Sequence, residues 1–152
     1  MKSDLDRLMA ARSLAAIFVT GDGHDNAPRA YLTNGADISG GLVIKKQGSP
    51  AVMVVNPMEI EEARKSGLTA YTYNDLGYAD LLVQAQGNRS KADVALWGRC
   101  LERFEIPPGK IGLYGTGSLH HYQAFVPLVQ AANPDYEFVG EMGLTLFDEA
   151  YI

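Results

Sequence analysis

The run LAAIFVT, Leu14 to Thr20, carries no charge and only one terminal hydroxyl. A strand that is apolar on successive residues has no face to offer to water, so it needs cover on both sides. That requirement asks for a sheet held between two layers of helix. The rest of the chain supplies the parts. Gly41 to Lys46 (GLVIKK) and Ala51 to Val55 (AVMVV) are strand-like runs joined by Gln47-Gly48-Ser49-Pro50, a spacing that suits an antiparallel hairpin. Further short strands are expected at Leu68 to Tyr73, Lys110 to Tyr114 and Tyr136 to Gly140.

Helical spacing fills the intervals. Behind a possible Ser3 cap, Leu5, Leu8 and Met9 share one helix face. In NPMEIEEARKSG, Asn56 can cap, Pro57 suits the first turn, Glu59 can complete a capping box, Glu61 can pair with Lys65, and Gly67 can close the helix. YADLLVQA suits a short helix. SKADVALWGRCLERF starts S-x-x-D and aligns Val94, Trp97, Leu101 and Phe104 before Pro107-Pro108-Gly109 stops it. Leu119 to Ala132 forms another helix, in which Pro127 removes the bond to the carbonyl of Gln123 and introduces a kink. By contrast, Gly21 to Ala30 (GDGHDNAPRA) reads as a polar loop broken by Gly21, Gly23 and Pro28. Strands alternating with helices, plus one hairpin, give an α/β sheet of mixed direction. A chain of 152 residues with 47% hydrophobic content fits one domain with a real core.

Charge and cysteine usage narrow the function classes. A net charge of −5, with no basic cluster beyond Lys45-Lys46, argues against a nucleic-acid partner. The single Cys100 excludes an internal disulfide and suits a reducing compartment; one turn from Trp97 and Phe104, it reads as a packed residue rather than a nucleophile. The N-terminus has no apolar core of a signal peptide, and no run approaches the ~20 residues that span a bilayer. A cytoplasmic protein without a membrane partner is expected.

The stretch IGLYGTGSLHHYQAF, Ile111 to Phe125, is the strongest candidate for chemistry. A dinucleotide loop needs G-x-G-x-x-G, but His120 stands where the third glycine belongs. There is no Walker G-x-x-x-x-G-K-[ST], and Ser118 is not in a G-x-S-x-G elbow. Adjacent helical residues point ~100° apart, so His120 and His121 cannot readily chelate one ion. With only His24 besides, no zinc pattern arises, and the acidic run Glu59 to Glu62 reads as first-turn charges facing the helix dipole. Ser118 therefore reads as the cap of a helix, worth about 1 kcal/mol. A small-ligand or nucleotide-binding module using Gly115 to Ser118 remains the alternative. No catalytic or metal-ligating residue emerges.

The order of segments carries a resemblance. D-L-D-R-L-M-A-A-R-S-L-A-A-I-F-V-T, N-A-P-R-A-Y-L-T-N-G, S-G-G-L-V-I, a hairpin and V-N-P-M-E together resemble the N-terminal domain of the creatinase / prolidase / aminopeptidase P superfamily, the "pita-bread" metallopeptidases. Tyr31-Leu32-Thr33 is close to that family's Y-L-T-G-[FY] signature, with Asn34 intruding before Gly35 and Ala36 in place of an aromatic. The resemblance implies a mixed, roughly six-stranded sheet with helices on both faces, ribonuclease H-like, over residues 1–142, with 143–152 beginning a linker. It also implies a non-catalytic accessory domain that serves dimer assembly and substrate access. Two divalent ions (Mn, Co or Zn) would belong to a separate C-terminal catalytic domain, held there by two Asp, one His and two Glu. A nuclease reading of the same fold fails on its donors, since Leu14 to Val19 holds no carboxylate. The region from Asp22 to Gly40 would form the functional edge, with His24, Asn26, Tyr31 and Asn34 at substrate access or the dimer edge, and with Gly40-Gly41 permitting close backbone approach. The plainer possibility is that Tyr31 and Leu32 only pack.

Overall fold

The computed structural model describes residues 4–21, 25–36 and 38–150. Strand β1 (Leu14–Thr20) lies in the middle of a six-stranded sheet. It pairs antiparallel with β2 (Leu42–Lys46), which pairs antiparallel with β3 (Val52–Val55) through the expected hairpin. β3 pairs in parallel with β4 (Thr69–Thr72). On its other side β1 pairs in parallel with β5 (Lys110–Gly115), and β5 with β6 (Glu137–Val139), giving the order β4-β3-β2-β1-β5-β6. Only β2 runs against the other five.

Both faces of the sheet are covered, as the composition of β1 demands. On one face, Leu5, Leu8 and Met9 of α1 (Asp4–Ala11) join Leu32 of α2 (Ala27–Thr33), Ala63 of α3 (Ile60–Arg64) and Leu146 and Phe147 of α7 (Leu146–Ala150). They meet Ile17, Val19, Val43, Met53 and Val55 of the sheet. On the other face, α4 (Tyr78–Gln84), α5 (Arg89–Arg103) and α6 (Leu119–Ala132) bury Leu81, Trp97, Leu101, Phe125 and Val129 against Phe18, Ile44, Val54 and Ile111. The alternation of Val43 with Ile44, and of Met53 with Val54, between the two faces is the period-two pattern of a strand. β1 departs from it once: a register shift between Leu14 and Ala16 puts Leu14 on the same face as Ile17.

Several local expectations need correction. The segment from Gly21 to Ala30 is not all loop, because α2 begins at Ala27. Pro28 lies in its first turn, where a missing N–H costs no helical bond. Asn56 caps a 3-10 turn, Pro57–Glu59, by accepting from Met58 N, but Glu59 does not close a box. Its carboxylate instead receives the backbone N–H and hydroxyl of Ser39. Glu61 pairs with Arg64 and Glu62 with Lys65, both at i,i+3, rather than Glu61 with Lys65. Helix α5 is capped by Asn88, whose Oδ1 accepts from Lys91 N, and not by Ser90. Ser118 occupies the cap position of α6 but its side chain makes no capping bond. The Ser3 cap lies outside the described residues.

Candidate functional site

The carboxyl ends of the five co-directed strands gather at one edge: Thr20, Val55, Thr72, Gly115 and Val139. In open α/β sheets the loops leaving this edge are where ligands bind. Here the edge is fastened from within. Asn26 is 3% exposed; its Nδ2 donates to Thr20 O at 2.7 Å and lies 3.5 Å from Thr116 Oγ1, and its Oδ1 accepts from Arg29 N. Thr20 Oγ1 in turn donates to Thr116 O at 3.0 Å. Arg29 is wholly buried and donates to the carbonyls of Gly21, Gly40 and Gly41. A guanidinium spent on backbone carbonyls sets the path of the chain into β2. Gly41 itself is required: at φ +80° a Cβ would stand 2.3 Å from Val54 O, whereas Gly40 has nothing within 4 Å.

The expected edge residues do not converge. His24 lies outside the described residues. Asn26 is part of the buried fastening. Tyr31 sets its ring edge-on to Phe147, with centroids 6.0 Å apart, on the α1–α7 face. Asn34, in the left-handed region at φ 58°, ends α2 and donates through Nδ2 to Ser66 O at 2.7 Å. His120 and His121 open α6 as expected. The His121 ring stacks on Phe125 at 5.4 Å with an interplanar angle of 18°. Among the described residues no group of three or more His, Cys, Asp or Glu could hold a metal ion. Cys100 is fully buried, and burial pushes its thiol up to about 12, which leaves it protonated and inert at neutral pH.

Beside the fastened loops a cleft of about 500 Å³ opens between the sheet edge and α4, α5 and α6. Tyr73, Tyr78, Trp97, Tyr122 and Phe125 form its aromatic walls, and Asn56, Asn74, Arg89, Asp93 and His121 bring polar groups to it. Tyr73 and Tyr78 lie 5.6 Å apart, Trp97 and Phe125 5.1 Å, and Tyr122 and Phe125 6.1 Å. The Tyr78 hydroxyl donates to Asp93 Oδ1 at 2.7 Å. Burial, then that bond to a carboxylate, pushes the phenol up to about 12. Burial and the nearby Asp93 raise the Tyr73 phenol as well. Sequence reasoning missed this cleft, because its residues come from separate strand ends and three helices. Two signals were available: His121, Tyr122 and Phe125 belong to the stretch Ile111 to Phe125 weighed above for other chemistry, and the surplus of tyrosine from Tyr71 to Tyr78 reads equally well as strand packing.

No family model matches the chain, and no curated protein matches it. Solved structures do. The X-Pro aminopeptidase of Thermotoga maritima MSB8 matches 99% of this chain with a TM-score of 0.63 at 10% identity. The prolidase of Pyrococcus furiosus matches 99% with a TM-score of 0.57 at 17% identity. The chain spans about a third of each, 34% and 36%. The N-terminal domain of an Xaa-Pro dipeptidase from Lactobacillus brevis matches 97% of this chain and 98% of its own length, with a TM-score of 0.53 at 12% identity. The mixed six-stranded α/β architecture is therefore the fold of a prolidase N-terminal domain.

Proposed function

We propose that this chain is the non-catalytic N-terminal accessory domain of an Xaa-Pro metallopeptidase of the prolidase or aminopeptidase P type. The observation that carries the reading is the pattern of coverage: nearly the whole of an isolated N-terminal domain, but a third of two complete peptidases. The segment order in the sequence supports it independently. In this reading residues 1–142 are the domain, α7 of the segment 143–152 packs on its core, and that segment leads towards a catalytic domain, the chain's first partner, in which two divalent ions (Mn, Co or Zn) would sit. A second copy of the complete polypeptide is the other partner. The edge from residue 22 to residue 40 faces its substrate entry, with His24 and Asn34 as contacts and Asn26 as an internal support. No helix among the described residues is long and apolar enough to cross a membrane, which suits a peptidase that meets dissolved peptides.

The test compares residues 1–152 with the complete polypeptide on Xaa-Pro dipeptides and longer peptides in Mn²⁺ or Co²⁺. The complete polypeptide should hydrolyse them, and the 152-residue chain should neither hydrolyse them nor retain stoichiometric metal. In the complete enzyme, His24→Ala and Asn34→Ala should each lower kcat/KM on short substrates while the melting temperature holds. A complete polypeptide inert towards every Xaa-Pro bond would overturn the reading. Unchanged kinetics in both variants would remove the substrate-access role and leave a scaffold.

A further inference from the structure

We propose that the aromatic cleft binds a small zwitterion, with an N-alkylated ammonium group among the rings beside Asp93 and a carboxylate against Arg89 at the mouth. The cleft holds polar groups that the fold does not use. Among the described residues, the hydroxyls of Tyr73 and Tyr122 and the indole N–H of Trp97 line the cleft without donating to another protein group, and none of the three is an atom sealed from solvent. Asp93 is half-buried and engages Tyr78 through Oδ1 alone. Arg89 lines the same cleft and is exposed, and it forms no ion pair among the described residues.

The chemistry of this lining selects its ligand. Aromatic faces carry a negative quadrupole and attract a cation placed over them, more strongly where water is excluded. The Asp93 carboxylate adds negative charge at the same place. A hard divalent ion is not suited, because it needs six or more oxygen ligands and the described residues gather no such group. A primary ammonium would lose hydrogen bonds to water that ring faces cannot return. An alkylated ammonium has few such bonds to lose and is bulky enough to fill contacts in a space of about 500 Å³. A simple cation would nevertheless meet Arg89 on its way in. A carboxylate tail turns that repulsion into a charge-assisted bond. A bare anion would be repelled inside by Asp93.

Trp97 is the sole tryptophan of the chain, so its fluorescence reports on the cleft directly. The experiment titrates the 152-residue chain with glycine betaine, tetramethylammonium and acetate at constant ionic strength. Betaine should give a saturable change, tetramethylammonium a weaker one, and acetate none. Asp93→Asn should weaken betaine binding by roughly tenfold. Arg89→Gln, an exposed change whose unaltered fold is to be checked by circular dichroism, should abolish the preference of betaine over tetramethylammonium. The proposal is overturned by a flat titration with betaine, by equal or tighter binding of tetramethylammonium to the unsubstituted chain, by a response to acetate, or by an Arg89→Gln protein that keeps the preference. It does not rest on the accessory-domain reading. Peptidase activity is measured on the complete polypeptide and ligand binding on the chain alone, so either can fail without the other.

Discussion

Asn26 stands in a stretch that reads as a polar loop, where an amide is expected to face solvent or substrate. The fold instead buries it and uses both ends of its side chain, one to cap α2 and one to hold the carbonyl of Thr20. Asn26→Ala should therefore destabilise the chain by about 2 kcal/mol, because a cap is lost and the Thr20 carbonyl loses the shorter of its two donors, keeping only Thr116 N. Urea unfolding would show it, and a midpoint unchanged from wild type would contradict the geometry. Ser118 goes the other way. The sequence places it at the N-terminus of α6, which is correct, but its hydroxyl makes no capping bond. Ser118→Ala should then change stability by less than about 0.5 kcal/mol, against the cost of about 1 kcal/mol expected of a true cap. The cap position was legible for Ser118 and not for Asn26, whose second partner, Thr20 O, depends on how the intervening loop folds back.

Most elements were legible because their signals are local. The apolar β1, the hairpin spacing of β2 and β3, and the stripe of α5 each lie within one stretch of sequence. Helix α2 was hidden because Gly21, Gly23 and Pro28 read as breakers, whereas a proline in the first turn removes no helical bond. Helix α7 lies in the tail read as the start of a linker, and its packing on the core was not legible. Thr145 donates N–H and hydroxyl to Asp148 Oδ2, both at 2.9 Å, and so starts a short helix that drives Leu146 and Phe147 into the core. Leu146→Ala should cost about 2–5 kcal/mol, read as a lowered melting temperature. A clamp holds the same helix. Glu141 accepts from Arg12 Nε at 2.5 Å, from Tyr114 OH at 2.8 Å and from Leu146 N at 2.9 Å, and Arg12 also reaches Glu149 at 2.8 Å. Burial alone would raise the Glu141 carboxyl, but Arg12, the Leu146 amide and Tyr114 outweigh it and hold it below its ordinary 4.5. A depressed carboxyl contributes stability that is complete above that ordinary value and is lost as pH falls through the folded one. The stability gap between wild type and Glu141→Gln should thus be constant near neutrality and close progressively below about pH 4.5. A gap independent of pH would show that the charge of Glu141 does not matter.

At the scale of the molecule, the fold was readable from segment order, whereas the cleft exists only once β3, β4 and three helices have been assembled. The same assembly bears on the nucleotide alternative. The loop from Gly115 to Ser118 does lie at the sheet's carboxyl edge, but Thr116 is engaged by the protein and Gly117 is covered. The amide of Thr116 points to Thr20 O at 3.3 Å, and the Tyr122 ring lies so close over Gly117 that a Cβ there would stand 2.0 Å from it. A fluorescent nucleotide should show no saturable binding in titration, and a tight complex lost on Gly117→Ala would reinstate that reading. The reversed strand β2 has a separate consequence, for how the chain finds this structure. Because β2 runs against its neighbours, β1, β2 and β3 form a meander whose pairs, such as Phe18 with Ile44 and Leu42 with Val54, are close in sequence. The pairing of Phe18 with Leu113 must close a far longer loop. Loop-closure entropy favours the meander as the folding nucleus, with β5 and β6 docking later. Val43→Ala should therefore slow refolding, while Ile111→Val should mainly speed unfolding.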